Sequence, residues 1–244
     1  MESTFVDVIY GGIFYSSTFL EKPRLCWCDS DKMKNNKDMQ IDPFFSSPIA
    51  VFKNENFDLT EHCLEIKDKY TITGNRGNCW YNYNDWVHNP YNSLHIIKQY
   101  STLNDPKFLE LNRWVQECVN DFTQECGYHK MRPQDLWFNV YERGDSQEFH
   151  NHCQSHLSCV YFAEVKDDDA KIIFNRTPWV MFPIPVTEPN PYNYDQVWFQ
   201  PTKGMLLIFK SDTMHMVERK VTDDIRISFS YNFISTSFDQ VQPT

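Results

Sequence analysis

The sequence predicts an α+β fold that is mainly β, a helical preface leading into a barrel of strands, and three stretches carry that prediction. From Ile225 to Phe233 the residues alternate: Ile225, Ile227, Phe229, Tyr231 and Phe233 fall on one side, Arg226, Ser228, Ser230 and Asn232 on the other. A period of two belongs to a strand with unlike faces, here an apolar packing face and a polar one. Gly204-Met-Leu-Leu-Ile-Phe209 is a short apolar run after a Pro-rich stretch, as expected of a buried strand. Asp105 and Pro106 make a helix start, and Phe108, Leu111, Val115, Cys118, Val119 and Phe122 recur at helical spacing until Gly127. That helix should brace the outside of the barrel.

The other elements follow in chain order. Val8 to Leu20 leans apolar, but Glu2 and Asp7 precede it where a signal peptide would be positive, so it reads as early strands or loop. A second helix is expected over about Thr60 to Lys69. Gly74 to Tyr91 is rich in Asn, Trp and Tyr without periodicity and reads either as a cover for a site or as a surface connection anchored by its rings. Trp137, Asn139 and Tyr141 share one face of a strand, which suits a pocket wall and equally a packed barrel interior. Thr177 to Pro201 is a Pro, Tyr and Asn rich insertion between strands and the preferred segment for substrate recognition. The chain therefore divides into N-terminal strands and supporting helices over 1–130 and a strand core over 131–244, the two making one structural unit.

Composition excludes several classes of function. At 244 residues the chain is long enough to bury a sizeable core, and 16% aromatics with only 7 glycines argue against disorder or repeats. A net charge of -10 disfavours nucleic acid as a partner, because phosphate backbones attract basic surfaces. No apolar run approaches the roughly 20 residues needed to span a bilayer, so no membrane is expected. The 8 cysteines are scattered and read as reduced thiols of a cytoplasmic protein, or of the host cytoplasm if the chain is viral. Cys26 and Cys28 form a close pair with no second ligand pair nearby, which packing explains as well as metal binding does.

Chemistry concentrates in three histidines and one arginine. His150 and His152 stand two apart in Phe-His-Asn-His, so in an extended strand both aim at one face and clamp one metal ion. His215 lies 63 residues after His152 and would close the site as a third ligand. Arg226, 11 residues further on, sits on the polar face of its strand. A guanidinium buried among hydroxyls needs an anion, whose carboxylate geometry it matches with two donors; the anion is either a protein acid or a ligand carboxylate. Asn151, Gln154, His156 and Ser158 stand near enough to hold the imidazoles by their second nitrogens.

These residues resemble the iron(II) and 2-oxoglutarate dependent dioxygenases. Tyr141-Glu-Arg-Gly144, followed by His150-Asn-His152, is similar to the prolyl hydroxylase pattern Y-x-x-G-x-x-x-x-x-H-x-D, with His152 where the acid usually stands. Trp137 to Tyr141 and His156-Leu-Ser-Cys-Val-Tyr-Phe162 resemble a branch common in marine bacteria and their phages, whose H-x-H-x-x-S-x-L-S-G-V-Y-Y run is followed by a distal His and R-I-S. The likeness covers about residues 131 to 234. It implies a double-stranded β-helix, a jelly-roll of the cupin kind. It also implies His150, His152 and His215 as ligands of Fe(II), O2 as oxidant, and Arg226 on the far carboxylate of 2-oxoglutarate, with Ser228, Tyr141 and Asn139 as further co-substrate contacts. The reaction implied is decarboxylation of 2-oxoglutarate to succinate coupled to hydroxylation of a prolyl residue or a small molecule. Two departures stand out: neutral His152 adds one positive charge to the usual two-histidine, one-carboxylate set, and Phe162 lacks the tyrosine hydroxyl that related hydroxylases often place on the co-substrate.

Two readings from other classes compete. A cupin-like three-histidine metalloenzyme without a keto acid would leave Arg226 paired to a protein carboxylate. A noncatalytic barrel used for binding would retain the histidines structurally. The sequence reveals neither the oxidised target nor the oligomeric state.

Overall fold

The computed structural model describes residues 47–70, 90–176, 185–188, 190 and 193–237. Val8 to Leu20, Cys26 and Cys28, all but the end of 74–91 and parts of 177–201 lie outside the described residues. Two antiparallel sheets make the body. Its strands are β1 (Ile49–Lys53), β2 (Tyr91–Asn92), β3 (Met131–Tyr141), β4 (Gln147–His150), β5 (Leu157–Glu164), β6 (Ile172–Asn175), β7 (Gln196–Phe199), β8 (Met205–Lys210), β9 (Met214–Val217) and β10 (Arg226–Ser235). The larger sheet runs β1-β8-β5-β10-β3-β2 and the smaller β4-β9-β6-β7. From β3 to β6 and again from β7 to β10, strands adjacent in the chain alternate between sheets, which is the double-stranded β-helix that the resemblance implied.

Each strand of the large sheet is sorted by its alternation. Ile227, Phe229, Tyr231 and Phe233 of β10, with Phe138 of β3, Tyr161 of β5 and Ile208 of β8, join one cluster with residues of two helices, α1 (Thr60–Lys69) and α2 (Leu109–Glu125). Leu111, Val115, Val119 and Phe122 form the buried stripe of α2, so the expected periodicity is its packing face. Asp105 opens this region: its carboxylate accepts from the Lys107 amide, the Tyr100 hydroxyl and the His62 ring, and a 3-10 turn over Pro106–Phe108 precedes the α-helix. The opposite face of the large sheet meets the small sheet. There Val160, Phe162, Ile172, Phe174, Leu207 and Phe209 form a second, separate cluster.

One element departs from the sequence expectation. The insertion over 177–201 contributes β7, which pairs with β6 from Ile172↔Phe199 to Asn175↔Gln196 and so extends the small sheet. A four-residue strand with Gln196 and Trp198 exposed carries too short an alternation to stand out beside its Pro and Asn neighbours. The stretch before residue 131 also enters the large sheet at both edges, β1 on β8 and β2 on β3. No helix among the described residues is long and apolar enough to cross a membrane.

Gly204 fixes the corner before β8. Its φ is +79°, its amide donates to the Phe162 carbonyl and its carbonyl accepts from the Asn54 amide. A Cβ there would stand 2.7 Å from the Asn54 backbone. Gly204→Ala should therefore destabilise the protein by about 2 kcal/mol or more through strain and backbone clash combined, read as a lowered midpoint in urea unfolding.

Candidate metal and co-substrate site

Pairing of β4 with β9 sets His150 opposite His215, since the two are Cα partners in the ladder. Their ring centroids lie 4.2 Å apart, and each is 5.2 Å from that of His152. One ligand atom from each residue falls within 4.8 Å of those of the others. The sequence expected His150 and His152 to share a strand. Instead β4 ends at His150, and His152 lies beyond it, placed by its amide donating to the Ser211 carbonyl at 2.8 Å and by its ring stacking on Trp137 at 5.6 Å.

Every imidazole is held from behind by an acceptor. His150 Nδ1 meets the Glu148 carbonyl at 2.7 Å, His215 Nδ1 the Thr213 carbonyl at 2.9 Å, and His152 Nδ1 the Asn232 Oδ1 at 2.7 Å. An acceptor at Nδ1 places the proton there and leaves the Nε2 lone pair free, which is the tautomer that binds a metal. His152 Nε2 is buried with no hydrogen-bond partner among the described residues. Burial lowers the pKa of all three rings, His152 to about 4, so they are neutral near pH 7 and ready as ligands. Three neutral nitrogens suit a divalent transition metal, iron among several.

Of the four side chains expected behind the rings, only Ser158 is there, and it acts at one remove: its hydroxyl donates to Asn232 Oδ1 at 3.1 Å. Asn151 accepts from Cys153 Sγ, and His156 Nδ1 accepts from the Ser235 amide at the barrel seam. Two of the true partners are backbone carbonyls, which carry no sequence signal. The third, Asn232, lay on the polar face of β10 in plain sight, but nothing local links it to a residue 80 positions away.

Arg226 lies on the same inner face and is 1% exposed. Its Cζ sits 4.9 Å from the Tyr141 ring centroid and 5.0 Å from that of Phe162, so Phe162 contributes a π face where a hydroxyl was missed. One Nη donates to the Ala170 carbonyl at 2.7 Å, while Nε and the other Nη have no partner among the described residues. Two orphaned donors on a buried cation ask for an anion. The neighbouring acid is already engaged: Asp169 receives Lys220 Nζ at 2.7 Å, both side chains fully buried, and Lys220 also reaches Thr222 at 2.6 Å and Asp224 at 3.2 Å. Register places Arg226 opposite Tyr141 and Ser228 opposite Asn139, so the four expected co-substrate residues form one patch. Burial pushes Tyr141 up to about 12, which keeps its hydroxyl a neutral donor, and the Asn139 amide donates to Ser230 at 3.3 Å.

Comparison with known proteins agrees with this geometry. The model of a family described as "Putative 2OG-Fe(II) oxygenase" matches residues 135–232, the span that holds all three histidines and Arg226. No curated protein sequence matches the chain. Among solved structures, the non-heme alpha ketoglutarate dependent epimerase SnoN from nogalamycin biosynthesis is similar, with a TM-score of 0.52 and 12% identity over 78% of this chain and 79% of that one. A prolyl hydroxylase from Trichoplax adhaerens, in complex with a hypoxia inducible factor oxygen degradation domain peptide fragment, has a TM-score of 0.52 and 10% identity over 80% of this chain and 87% of that one. An oxidoreductase of the 2OG-Fe(II) oxygenase family from Burkholderia pseudomallei has a TM-score of 0.42 and 14% identity over 54% of this chain, which spans 58% of that protein's length. At such identities the structural likeness is one of fold; the family model adds the stretch of sequence that carries the site. The stretch that carries the strand core and the three histidines thus matches the model of a family described as putative 2OG-Fe(II) oxygenases, and the two sheets share the fold of structures from that group.

Proposed function

We propose that this protein is an Fe(II) and 2-oxoglutarate dependent dioxygenase in which His150, His152 and His215 hold the metal and Arg226, Ser228, Tyr141 and Asn139 hold the co-substrate. The observation that carries the reading is the guanidinium of Arg226, buried with two donors unmet on the polar face of β10 whose Asn232 backs His152, together with three clustered imidazoles whose Nδ1 atoms are all backed by acceptors. A dicarboxylate fits that pair of features, one end for the metal and one for the arginine. A cupin-like site without a keto acid would want a protein carboxylate on Arg226, and Asp169, the acid on that side, is taken by Lys220.

Iron(II), which His150, His152 and His215 would hold, would with O2 supply the oxidation, one oxygen atom going to succinate as 2-oxoglutarate loses carbon dioxide and the other to the substrate. The chain's own part is orientation and exclusion of water. Arg226 fixes the far carboxylate and is itself held by the Tyr141 and Phe162 rings, 4.9 and 5.0 Å away, and by the Ala170 carbonyl. The aromatic walls formed by Trp137, Phe174 and Phe209 around the histidines hold the ring planes: Trp137 stacks on His152, and the other two flank His215 at 5.8 and 4.8 Å. For the reaction we favour hydroxylation, with a prolyl residue or a small molecule as target. A peptide-bound hydroxylase and a small-molecule epimerase both lie among the similar folds, and net charge -10 gives phosphate backbones no purchase.

Anaerobic addition of Fe(II) and 2-oxoglutarate should raise the weak visible charge-transfer band of a chelated keto acid. Stoichiometric metal binding without that band would move the protein to the keto-acid-independent reading. His150→Ala and His215→Ala should each abolish metal retention, measured as metal content after desalting, whereas iron held as in the unaltered protein would mean other ligands. Arg226→Ala should leave metal binding intact and weaken 2-oxoglutarate by about 2 kcal/mol, roughly thirtyfold in Kd by calorimetry.

Acid should unfold the metal-free protein early. The folded pKa of His152 is about 4 against an unfolded value of 6.5, so between those values the unfolded chain binds more protons than the folded one. Stability is then full above about pH 6.5 and falls towards pH 4, with His152 alone contributing up to about 1.4 kcal/mol per pH unit. Urea midpoints measured across that window without metal should decline, and His152→Leu should flatten the slope.

A further inference from the structure

We propose that Asp135 is a positioning residue for the metal centre, acting through the Asn232 amide to hold His152 in its ligating tautomer and to lend the site, at one remove, the negative charge that a three-histidine set lacks. The inference rests on His152 being a metal ligand, as argued above.

The amide of Asn232 works at both ends. Its Oδ1 accepts from His152 Nδ1 at 2.7 Å and from the Ser158 hydroxyl at 3.1 Å, and Ser158 in turn contacts the Ser211 hydroxyl at 2.8 Å. Its Nδ2 donates to Asp135 Oδ2 at 3.5 Å. Asp135 and Asn232 are directly paired across β3 and β10, one step from the register shift at Asn232/Phe233, so the contact is built into the ladder. Asn232 is 9% exposed and Ser158 and Ser211 are 1% and 0% exposed, so water has little access to the amide between the half-buried His152 and Asp135.

Orientation of that amide decides the chemistry of His152. With Oδ1 facing the ring, Nδ1 carries the proton and Nε2 keeps its lone pair. Turned through half a rotation, Nδ2 would face Nδ1, the ring would have to accept there, and the proton would move to Nε2, which could no longer bind a metal. An amide has no charge preference of its own between these states. Two hydroxyl- and imidazole-borne donors at one end and a carboxylate at the other select the first. The carboxylate also polarises the amide toward His152, making Oδ1 a stronger acceptor and Nε2 a stronger donor, as a carboxylate behind a ligating imidazole does directly. His152 occupies the position where related sites place an acid, and Asp135 restores part of that charge from outside the coordination sphere.

Anaerobic titration with Co(II), whose visible bands report its ligands and which takes the same nitrogen donors, tests the proposal. Asp135→Asn should weaken Co(II) about tenfold or more and shift its bands. Exchanging the two groups, Asp135→Asn together with Asn232→Asp, puts a carboxylate behind His152 and an amide behind the carboxylate, and should bring affinity back to the unaltered level or above. Identical affinity and bands in Asp135→Asn would overturn the proposal, as would an exchanged protein no better than the single variant, which would make Asp135 a packing residue. Failure of the unaltered protein to bind one Co(II) would instead remove the ligand assignment on which the inference stands.

Discussion

The register that sets His150 opposite His215 is the constraint on which the site depends. It is a property of a four-stranded sheet whose members come from distant parts of the chain: β4 and β9 meet, and β6 lies against β9 with Phe174 opposite His215. Slipping that ladder by one residue would turn both rings away from the barrel interior, because strand side chains alternate. The large sheet supplies the opposite wall, where β10 runs between β3 and β5 and presents Arg226, Ser228, Ser230 and Asn232 inward. Apolar clusters fill other parts of the inter-sheet space and the outer face of the large sheet.

Charge is distributed in an unusual way over that interior. Three imidazoles cluster where the resemblance implied two imidazoles and one carboxylate, a set more positive by one, and a fully buried guanidinium adds another positive group. Burial opposes charge on Arg226, and the structure compensates with two aromatic faces and a carbonyl but withholds a carboxylate. The dicarboxylate proposed above would answer that positive charge. Phe162 fits this arrangement: a ring there lacks a hydroxyl but adds a π face to the buried cation.

Elements far from the histidines keep the pocket in register. Lys220 binds Asp169, Thr222 and Asp224 with no exposure of its own side chain, and its backbone bonds to Gly144 and Asp145. The corner at Asp169 offers the Ala170 carbonyl to Arg226, so this ion pair ties together the turn after β3, the turn before β6 and the entry to β10. Gly144, at φ +94°, makes the first of those turns within the Tyr-x-x-Gly stretch. Removing one partner from such a buried pair costs more than the pair contributes, which gives the network its rigidity.

Much of this was legible in the residues themselves. Period-two alternation over 225–233, period-3.6 recurrence over 108–122 and the spacing of His150, His152, His215 and Arg226 are local patterns, and each reports which face of its own element is buried. They announced the strands and the bracing helix, and they singled out the three histidines that cluster and the arginine that is buried. Tertiary structure alone decided the rest. His152 proved to lie beyond its strand, the carbonyls of Glu148, Thr213 and Ala170 became partners, and Asn232 and Asp135 came to stand behind a ring 80 and 17 residues away in the chain. Backbone carbonyls are present at every position and so mark none, and a side chain's polarity says that it needs a partner without saying which. Periodicity is written by each element facing a core; pairing between elements is written only when the sheets close.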